Sequence, residues 1–397
     1  MNILVQKFGG TSVATAETRE LVASKIEKAS NDGFLPVVVV SAIGRKGDPY
    51  ATDTLLSLVD VKESTSAQEK DLLMCCGEII SAVVLSDTLN KKGLRTRVLT
   101  GGQAGIITDN NYGNAEIIKV DPVKVYDLLL AGIIPIITGF QGATMNNELT
   151  TIGRGGSDTS ATVIGEALKA KAIEIYTDVD GIMTADPRIV NDAKIIDSIS
   201  YSEVFQLADH GAKVIHPRAV SYAMRGNIPV YIKNTMSDAK GTIISSKEEI
   251  NSSHIITGVT HMPCRTQVSI RFDNGADNSN ELFFTLAEMG ISIDLINVFP
   301  NYKAFTIDDN DTEKVNNLLK ERGLNYNIIR NCSKVSVIGS GMKGIPGVMS
   351  RILMALNKGG IEVLQTADSH MTIWCLVKGE DTHRAINSLH NEFNLEK

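Results

Sequence analysis

The stretch Thr-Thr-Ile-Gly-Arg-Gly-Gly-Ser-Asp-Thr-Ser-Ala, residues 150–161, lies between two segments of different hydrophobic pattern. Residues 133–140 before it form a short apolar run, which predicts a buried strand. Residues 159–168 after it repeat apolar side chains at helical spacing, which predicts a helix. A buried strand, a glycine-rich turn and a helix in this order indicate an α/β fold.

The turn carries one arginine among three glycines. The glycines allow the backbone to bend sharply and to approach a ligand closely. Arg154 offers a rigid fork of donors that matches a carboxylate. Ser157 and Asp158 occupy positions where helix N-caps belong, at the positive end of the helix dipole. The turn is either an anion site or an ordinary surface loop before a capped helix, and its own residues leave both readings open.

The composition is that of a soluble globular protein with more than one domain. The chain has 397 residues, of which 43% are apolar and 21% charged, and this length suggests two to four domains. A net charge of −7 disfavours binding to nucleic acid or to an anionic membrane. The five cysteines form no CxxC pair, the histidines show no metal-ligand spacing, and residues 1–5 lack signal-peptide character. We therefore expect a cytoplasmic protein without a metal cage of its own.

The first 245 residues alternate between strand and helix patterns. Strands are predicted at 3–8, 36–40, 98–99, 133–139, 172–176, 229–233 and 242–245, and helices at 72–89, 122–131 and 159–168. This alternation predicts a mostly parallel sheet covered on both faces. The polar residues 246–253 that follow indicate a linker.

The first predicted strand ends in Lys-Phe-Gly-Gly-Thr-Ser-Val, residues 7–13. A strand, a Gly-Gly-Thr-Ser turn and a helix form a cradle of backbone N–H groups for phosphate, and Lys7 is placed to neutralise its charge. The segment is neither a Walker A loop nor GxGxxG. An ordinary strand-to-helix turn would use the same residues.

Three other segments contain possible ligand groups. Glu78 stands among apolar neighbours in a helical pattern, so its carboxylate must be paired or solvated, by a substrate ammonium or by a neighbouring Lys or Arg. Residues 177–188 place three acids, a glycine and a Pro-Arg pair after a strand, as a nucleotide-binding loop or a solvent-facing turn would. Lys213 lies between two helical patterns.

The last third of the chain repeats one pattern twice. A strand, a helix, two strands and a helix are predicted from residue 268 to residue 322, and again from 335 to 390, with a strand at 360–364 in the second copy. This spacing indicates a duplicated ferredoxin-like unit. The copies contain few candidate catalytic residues, which favours recognition or regulation.

Taken together, the motifs resemble the aspartokinases, which belong to the amino-acid kinase family. The likeness rests on residues 7–13, on Thr-Ile-Gly-Arg-Gly-Gly-Ser-Asp at 151–158, and on Thr177-Asp178 followed by Asp186-Pro187-Arg188. It extends to the duplicated units, which resemble the paired ACT domains of single-activity aspartokinases. Residues 44–53 and 365–370 look most like the enzymes of spore-forming Gram-positive bacteria.

The resemblance implies an α/β fold in two parts. The amino-acid-kinase three-layer fold, with a mostly parallel central sheet, is expected over residues 1–245. Two ferredoxin-like βαββαβ ACT domains are expected at 264–330 and 331–397. Residues 246–263 would form a linker and a strand given to the ACT region, since the first ACT unit of this family is inserted within the second.

The implied activity is transfer of the γ-phosphoryl group of ATP, with Mg²⁺, to the β-carboxylate of L-aspartate. The product, 4-phospho-L-aspartate, leads to diaminopimelate, lysine, threonine and methionine. A carboxylate is ionised at neutral pH, so the reaction needs no general base. Alignment and cationic stabilisation of the moving phosphoryl group can carry catalysis.

The resemblance also assigns roles to individual residues. The catalytic residues would be Lys7, Asp158 and Lys213. Aspartate would be held by Thr52, Glu78, Phe140, Arg154, Gly155, Gly156, Ser157 and Asp158. ATP would be held by Lys7, Phe8, Gly9, Gly10, Ser12, Thr177, Asp178, Met183, Asp186, Arg188 and Lys213. Mg²⁺ would be held mainly by ATP oxygens and water, with no metal site made by the protein alone.

An amino-acid effector and self-association are the other implied partners. Family effector sites would correspond to Asn274, Ala276, Ile293, Asp294 and Asn297. The first unit departs from the usual pattern, because residues 274–278 stand where the second unit has Ile345-Pro346-Gly347. Diaminopimelate, lysine and threonine remain candidates, with diaminopimelate favoured. We expect a homo-oligomer formed through the ACT units.

Two other functions remain to be distinguished. A sister enzyme of the same fold would phosphorylate glutamate, acetylglutamate, carbamate or UMP. A non-catalytic amino-acid sensor would keep the fold without activity, although Lys7, Arg154 and Asp158 are all present. Trapping an acyl phosphate with hydroxylamine separates these possibilities.

Overall fold

The computed structural model describes residues 1–60, 64–212, 214–246, 255–272, 279–342 and 344–396. They form two compact units that alternate along the chain. The first unit comprises Met1–Ile182, Ile195–Ala208 and Lys213–Ser252, and the second comprises Met183–Lys194, Asp209–Ala212 and Ser253–Lys397.

An eight-stranded sheet forms the centre of the first unit. Its strands are β1 (Ile3–Phe8), β2 (Leu35–Val40), β3 (Thr96–Leu99), β6 (Ile134–Thr138), β9 (Ala172–Thr177), β10 (Ser198–Ser200), β11 (Val230–Asn234) and β12 (Thr242–Ser245). They lie in the order β10-β12-β11-β9-β1-β2-β6-β3, and every neighbouring pair is parallel except β11 with β12. The predicted mostly parallel sheet is confirmed, and its buried Val and Ile runs show why these strands occupy the interior.

Seven α-helices accompany these strands in the described residues. They are α1 (Ala16–Asn31), α2 (Thr52–Leu56), α3 (Ala67–Lys91), α4 (Val123–Leu130), α5 (Gly156–Leu168), α6 (Tyr201–Asp209) and α7 (Pro217–Gly226). Capping boxes start α1 at Thr15 and α3 at Ser66. By length and composition alone α3 is the single described helix that would suit a membrane. It nevertheless buries two carboxylates, Asp71 and Glu78, and packs on β3, β6 and α1, as a core helix does.

A small second sheet lies beside α3, and no pattern in the sequence predicts it. It contains β4 (Ile106–Thr108), β5 (Ile117–Val120), β7 (Gln141–Ala143) and β8 (Leu149–Thr151), in the order β5-β4-β7-β8. Since β8 packs on α3 and leads directly into the glycine-rich turn, this sheet fixes where that turn begins.

The second unit contains one six-stranded antiparallel sheet. Its elements are β13 (Gly258–Arg271), α8 (Ser279–Glu288), β14 (Asp294–Phe299), β15 (Tyr302–Asp308), α9 (Thr312–Glu321), β16 (Asn325–Ile338), α10 (Val348–Lys358), β17 (Gln365–Asp368), β18 (Thr372–Lys378) and α11 (Thr382–Glu392). The strand order is β14-β15-β13-β16-β18-β17. Two ferredoxin-like halves thus share the long strands β13 and β16. Residues 258–262 of β13 pair with 334–338 of β16, in the later half.

The strand predicted at 360–364 is wrong, because the strand forms only after these residues. These residues form an irregular segment that buries Ile361, and the strand β17 begins at Gln365. Residues 183–194 add Ala185 and Val190 to the core of the later half.

Candidate active site

The carboxyl end of β1 carries an ion pair. Lys7 Nζ lies 2.7 Å from Asp158 Oδ1, and the two side chains are only 11% and 14% exposed. β1 lies next to β2 and β9 in the sheet, and α5 packs across it. The N-cap positions predicted for Ser157 and Asp158 are wrong. The helix begins at Gly156 with Gly155 at its N-cap, and the carboxylate of Asp158 turns to the lysine instead.

The Gly-Gly turn after β1 is tightly enclosed by backbone. A Cβ on Gly10 would lie 2.5 Å from the carbonyl oxygens of Ala42 and Gly44, so only glycine fits there. Gly44 N–H donates to the Gly10 carbonyl at 3.0 Å, and Gly9 N–H donates to Tyr176 at 3.1 Å. The turns after β1 and β2 are thereby joined.

Glu78 approaches the same edge of the sheet from α3. It is 2% exposed, and its Oε1 accepts a hydrogen bond from the Ala42 N–H at 3.2 Å. Burial raises the pKa of Glu78 to about 8, although backbone N–H groups and the Gln141 side chain oppose the shift. Its second oxygen, Oε2, is buried without a hydrogen-bond partner among the described residues. The carboxyl group is therefore suited to a cation that arrives with a ligand.

The glycine-rich turn needs its glycines for two different reasons. Gly153 and Gly155 have φ values of +75° and +65°, which favour glycine. A Cβ on Gly156 would lie 2.7 Å from the Phe140 ring. Arg218 donates from its guanidinium to the Ile152 carbonyl at 2.8 Å and supports the turn from outside. Arg154 remains exposed between the glycines.

These groups surround a single cavity of about 340 Å³. Its lining includes all eight residues predicted for aspartate: Thr52, Glu78, Phe140, Arg154, Gly155, Gly156, Ser157 and Asp158, together with Lys7 and Gly10. It also includes residues that sequence reasoning did not assign: Ser41, Ala42, Gly44, Arg45, Lys46, Ala51, Asp53 and Gly153. Most of these follow β2, at the carboxyl end of a central parallel strand, where the sequence already indicates that ligand residues gather.

The other predicted nucleotide residues lie outside that lining. Phe8 is buried and stacks on Tyr176 with ring centroids 4.8 Å apart. Gly9 turns its N–H to the backbone of β9, and the hydroxyl of Ser12 lies 2.6 Å from that of Thr235. These three residues therefore hold the turn in place without lining the cavity.

The end of β9 bears an exposed acid in contact with the loop after β2. Asp178 pairs with Arg45, and Thr177 donates to its Oδ1 at 3.1 Å. Partial burial alone would raise the pKa of Asp178, but backbone and side-chain hydrogen bonds and the Arg45 charge hold it below its usual value. Arg45 therefore touches both the cavity and a predicted nucleotide residue.

The remaining predicted residues are placed elsewhere or not described. Met183, Asp186 and Arg188 belong to the second compact unit, where Arg188 lies 2.6 Å from Asp186. Lys213, Asn274 and Ala276 lie outside the described residues.

Two of the described effector candidates, Asp294 and Asn297 on β14, contact residues of the later half. Asp294 pairs with Lys334, whose side chain is 4% exposed. Asn297 Oδ1 accepts from Gln365 Nε2 at 2.7 Å, and Ile293 packs on the earlier core.

Comparisons with known proteins decide the family. Residues 2–234 match the profile of the amino acid kinase family, and residues 327–391 match an ACT-domain profile. Aspartokinase 1 of Bacillus subtilis is 45% identical over 404 aligned residues, which cover 100% of both chains. The chain belongs to the amino-acid kinase family, as an aspartokinase.

Solved structures agree in fold. Aspartokinase III of E. coli in complex with aspartate and ADP gives a TM-score of 0.80 at 26% identity, covering 99% of this chain and 100% of that one. The same enzyme in complex with lysine and aspartate gives 0.76 at 25% identity with the same coverage. The assignment to the aspartokinases and the expected fold class are confirmed: this is an aspartate kinase with an ACT region.

Proposed function

We propose that the cavity holds L-aspartate while its β-carboxylate receives the γ-phosphoryl group of ATP. The observation that supports this most directly is the lining itself, which combines a buried acid, an exposed guanidinium and a buried lysine at one edge of the sheet. Aspartate carries one ammonium and two carboxylates, so these three groups match its charges. The product would enter the route to diaminopimelate, lysine, threonine and methionine.

Glu78 binds the substrate ammonium. Its unsatisfied Oε2 needs a donor, and an ammonium beside it would favour the ionised carboxylate over the protonated form that burial favours. Arg154 binds a substrate carboxylate, because its guanidinium is exposed to the cavity and can form two parallel hydrogen bonds. Thr52 and Ser157, each in the first turn of a helix, supply further polar contacts from the cavity wall.

Lys7 stabilises the charge of the moving phosphoryl group. Asp158 holds the lysine ammonium at 2.7 Å and so fixes its position at the cavity floor. The nucleophile is already ionised at neutral pH, so no side chain has to remove a proton from it. Catalysis then depends on alignment and charge. Lys213 is assigned a similar charge role only through the family resemblance.

ATP lies over the Gly-Gly turn. Gly9 and Gly10 let its phosphates approach the backbone, while Thr177 and Asp178 contact the nucleotide from the end of β9. The described residues contain no group of three or more His, Cys, Asp or Glu side chains that could hold a metal. Mg²⁺ is carried mainly by phosphate oxygens and water, where it neutralises phosphate charge.

Regulation is assigned to the ACT region. An amino-acid end product binds near Asp294 and Asn297, and the enzyme associates through its ACT sheets. Lysine appears in one complex of the related E. coli enzyme, while diaminopimelate and threonine remain alternatives for this chain. The protein acts in the cytoplasm.

The decisive experiment traps the product. The purified protein is incubated with ATP, Mg²⁺, hydroxylamine and, in turn, aspartate, glutamate and acetylglutamate. We expect hydroxamate with aspartate, and a variant Arg154→Lys with a raised KM for aspartate and an unchanged KM for ATP, because an ammonium cannot bind a carboxylate bidentately. Hydroxamate formed only with another acid would refute the proposal, and damage confined to ATP binding would reassign Arg154.

A further inference from the structure

Asp71 is a buried carboxylate for which the proposed reaction has no use. It lies on α3, is 0% exposed, and accepts three hydrogen bonds. Its Oδ2 accepts from the N–H of Gly113 at 3.0 Å and from the N–H of Thr151 at 2.7 Å. Its Oδ1 accepts from the Thr151 hydroxyl at 2.8 Å. A fully buried acid with three good donors is a built feature of the fold.

Helix α3 connects Asp71 to Glu78, the predicted ammonium site. Glu78 follows seven residues later, which is almost two helical turns, so both carboxylates project from one face of α3 about 10 Å apart along the axis. The helix cannot rotate freely here. A Cβ on Gly77 would lie 2.8 Å from Ala42 and from the Tyr50 carbonyl, so α3 is packed closely against the loop after β2.

Asp71 is also connected by two routes to Arg154, the predicted carboxylate site. Thr151 ends β8 three residues before Arg154, so the first route is along the chain. The second route passes through the turn that contains Gly113. The next residue, Asn114, lies with its Oδ1 only 2.4 Å from where a Cβ on Gly153 would stand. Ala115 N–H then donates to the Thr151 carbonyl at 2.9 Å.

We propose that Asp71 is a positioning residue that sets Arg154 relative to Glu78 and thereby selects the length of the amino-acid substrate. This inference rests on the proposed aspartate site. Glu78 and Arg154 bind the substrate at two points, so the distance between them determines where the reacting carboxylate lies. A substrate longer by one methylene would place that carboxylate wrongly. If the Asp71 bonds are lost, the Arg154 turn can shift and this discrimination weakens.

The test compares two changes at one position. Asp71→Ala removes all three acceptors and leaves buried donors unpaired. Asp71→Asn can keep the geometry, since its amide oxygen can accept both N–H groups and its NH₂ can donate to the Thr151 hydroxyl. For Asp71→Ala we expect the KM for aspartate to rise about tenfold to a hundredfold, and the preference for aspartate over glutamate in kcat/KM to fall about tenfold. The KM for ATP should change less than about twofold, and Asp71→Asn should restore most of the loss.

Two further variants complete the experiment. Asp87→Ala, an exposed acid on the same helix, serves as the matched control and should behave as the parent protein. If Asp71→Ala fails to fold, Thr151→Val removes one of the three bonds and should raise the KM for aspartate about threefold to tenfold. The inference is overturned if both KM values rise together, if substrate preference is unchanged, or if Asp71→Asn is as damaged as Asp71→Ala. Failure of the proposed aspartate site would appear in the unaltered protein, as absence of aspartyl hydroxamate.

Discussion

At the scale of single residues, the Lys7–Asp158 pair predicts a strong effect on rate. Lys7→Ala removes the cation at the end of β1, and we expect kcat to fall about a hundredfold to a thousandfold with aspartate affinity largely kept. Steady-state kinetics and calorimetric titration with aspartate measure the two effects. Lys91→Ala, which removes an exposed lysine from α3, is the control. A near-normal kcat would show that Lys7 does not act on the phosphate.

The raised pKa of Glu78 predicts a pH dependence of substrate binding. Below about pH 8 the empty site holds a protonated Glu78, and binding an ammonium requires that proton to leave. The KM for aspartate should therefore fall as pH rises toward 8 and level off above it. Glu78→Gln should raise the KM and abolish this pH dependence. An unchanged profile in the variant would mean that another group titrates.

The same shift has a defined effect on stability. The pKa of Glu78 is about 8 in the folded protein and about 4.5 when the carboxyl group is exposed, so the folded chain binds more protons between these values. Its contribution to the free energy of unfolding should decrease as pH rises from 4.5 to 8. Glu78→Gln should flatten that part of a plot of Tm against pH.

How far the site could be predicted depends on the kind of contact involved. Lys7, Glu78 and Arg154 could be identified because an ionisable group beside glycines or inside an apolar pattern is conspicuous in the sequence. The role of Asp158 as partner of Lys7 could not, because that contact depends on how α5 packs across β1. Asp71 was missed for the same reason: its donors lie 42 and 80 residues away.

At the scale of elements, the glycine-rich turn predicts a graded response to added methyl groups. A Cβ on Gly155 would lie 2.2 Å from the His216 Cβ, in addition to the cost of a φ of +65°. Gly33 has a φ of +82° with nothing within 4 Å of its Cβ position, so Gly33→Ala isolates the backbone cost, about 1 kcal/mol. We expect Gly155→Ala to lose about 1–3 kcal/mol more and to weaken aspartate binding. Chemical denaturation of both variants tests this, and equal losses would contradict the predicted clash.

The long, regular elements were predictable and the short ones were not. β1, β2, β9 and α3 agree with their patterns because uninterrupted apolar or helical periodicity identifies them. The strands of the small sheet have three or four residues, too few to show a period. At 360–364 Ile361 is buried outside any strand, whereas the strand that pairs with β18 begins at Gln365. Burial alone does not distinguish these two outcomes.

At the scale of the whole molecule, the two units alternate along the chain. A single domain boundary at residue 245, as expected from the sequence, does not describe this alternation. Residues 183–194 belong with the ACT region because Ala185 and Val190 are buried in its core and Val259 N–H donates to the Thr184 carbonyl at 2.8 Å. The hydrogen bond joins residues 75 positions apart, and the core extends to Leu395, about 200 positions from Ala185 and Val190. A local pattern indicates that such residues will be buried but not which core they enter.

The ACT region predicts a regulated oligomer. We expect at least a dimer, in which ACT sheets of two chains pair and bind an amino-acid end product. The effector should favour an inactive arrangement with a coupling of about 1–3 kcal/mol. Activity titrations with lysine, threonine and meso-diaminopimelate, alone and in pairs, beside light scattering, measure both properties. A monomer whose activity ignores all three would overturn this expectation.

Asp294 allows the effector site itself to be tested. Its carboxylate pairs with the nearly buried Lys334, so an effector ammonium must compete with that lysine. Burial tends to raise the pKa of Asp294, but Lys334 holds it below its usual value, so the acid is ionised and ready to bind a cation. Asp294→Ala should relieve inhibition while activity without effector changes little. Because this change leaves Lys334 buried without its partner, the double variant Asp294→Ala/Lys334→Met is the matched control, and it should be equally insensitive but more stable. Asp311→Ala, which removes a partly exposed acid from the same unit, should remain inhibited. Full inhibition of the double variant would place the effector elsewhere.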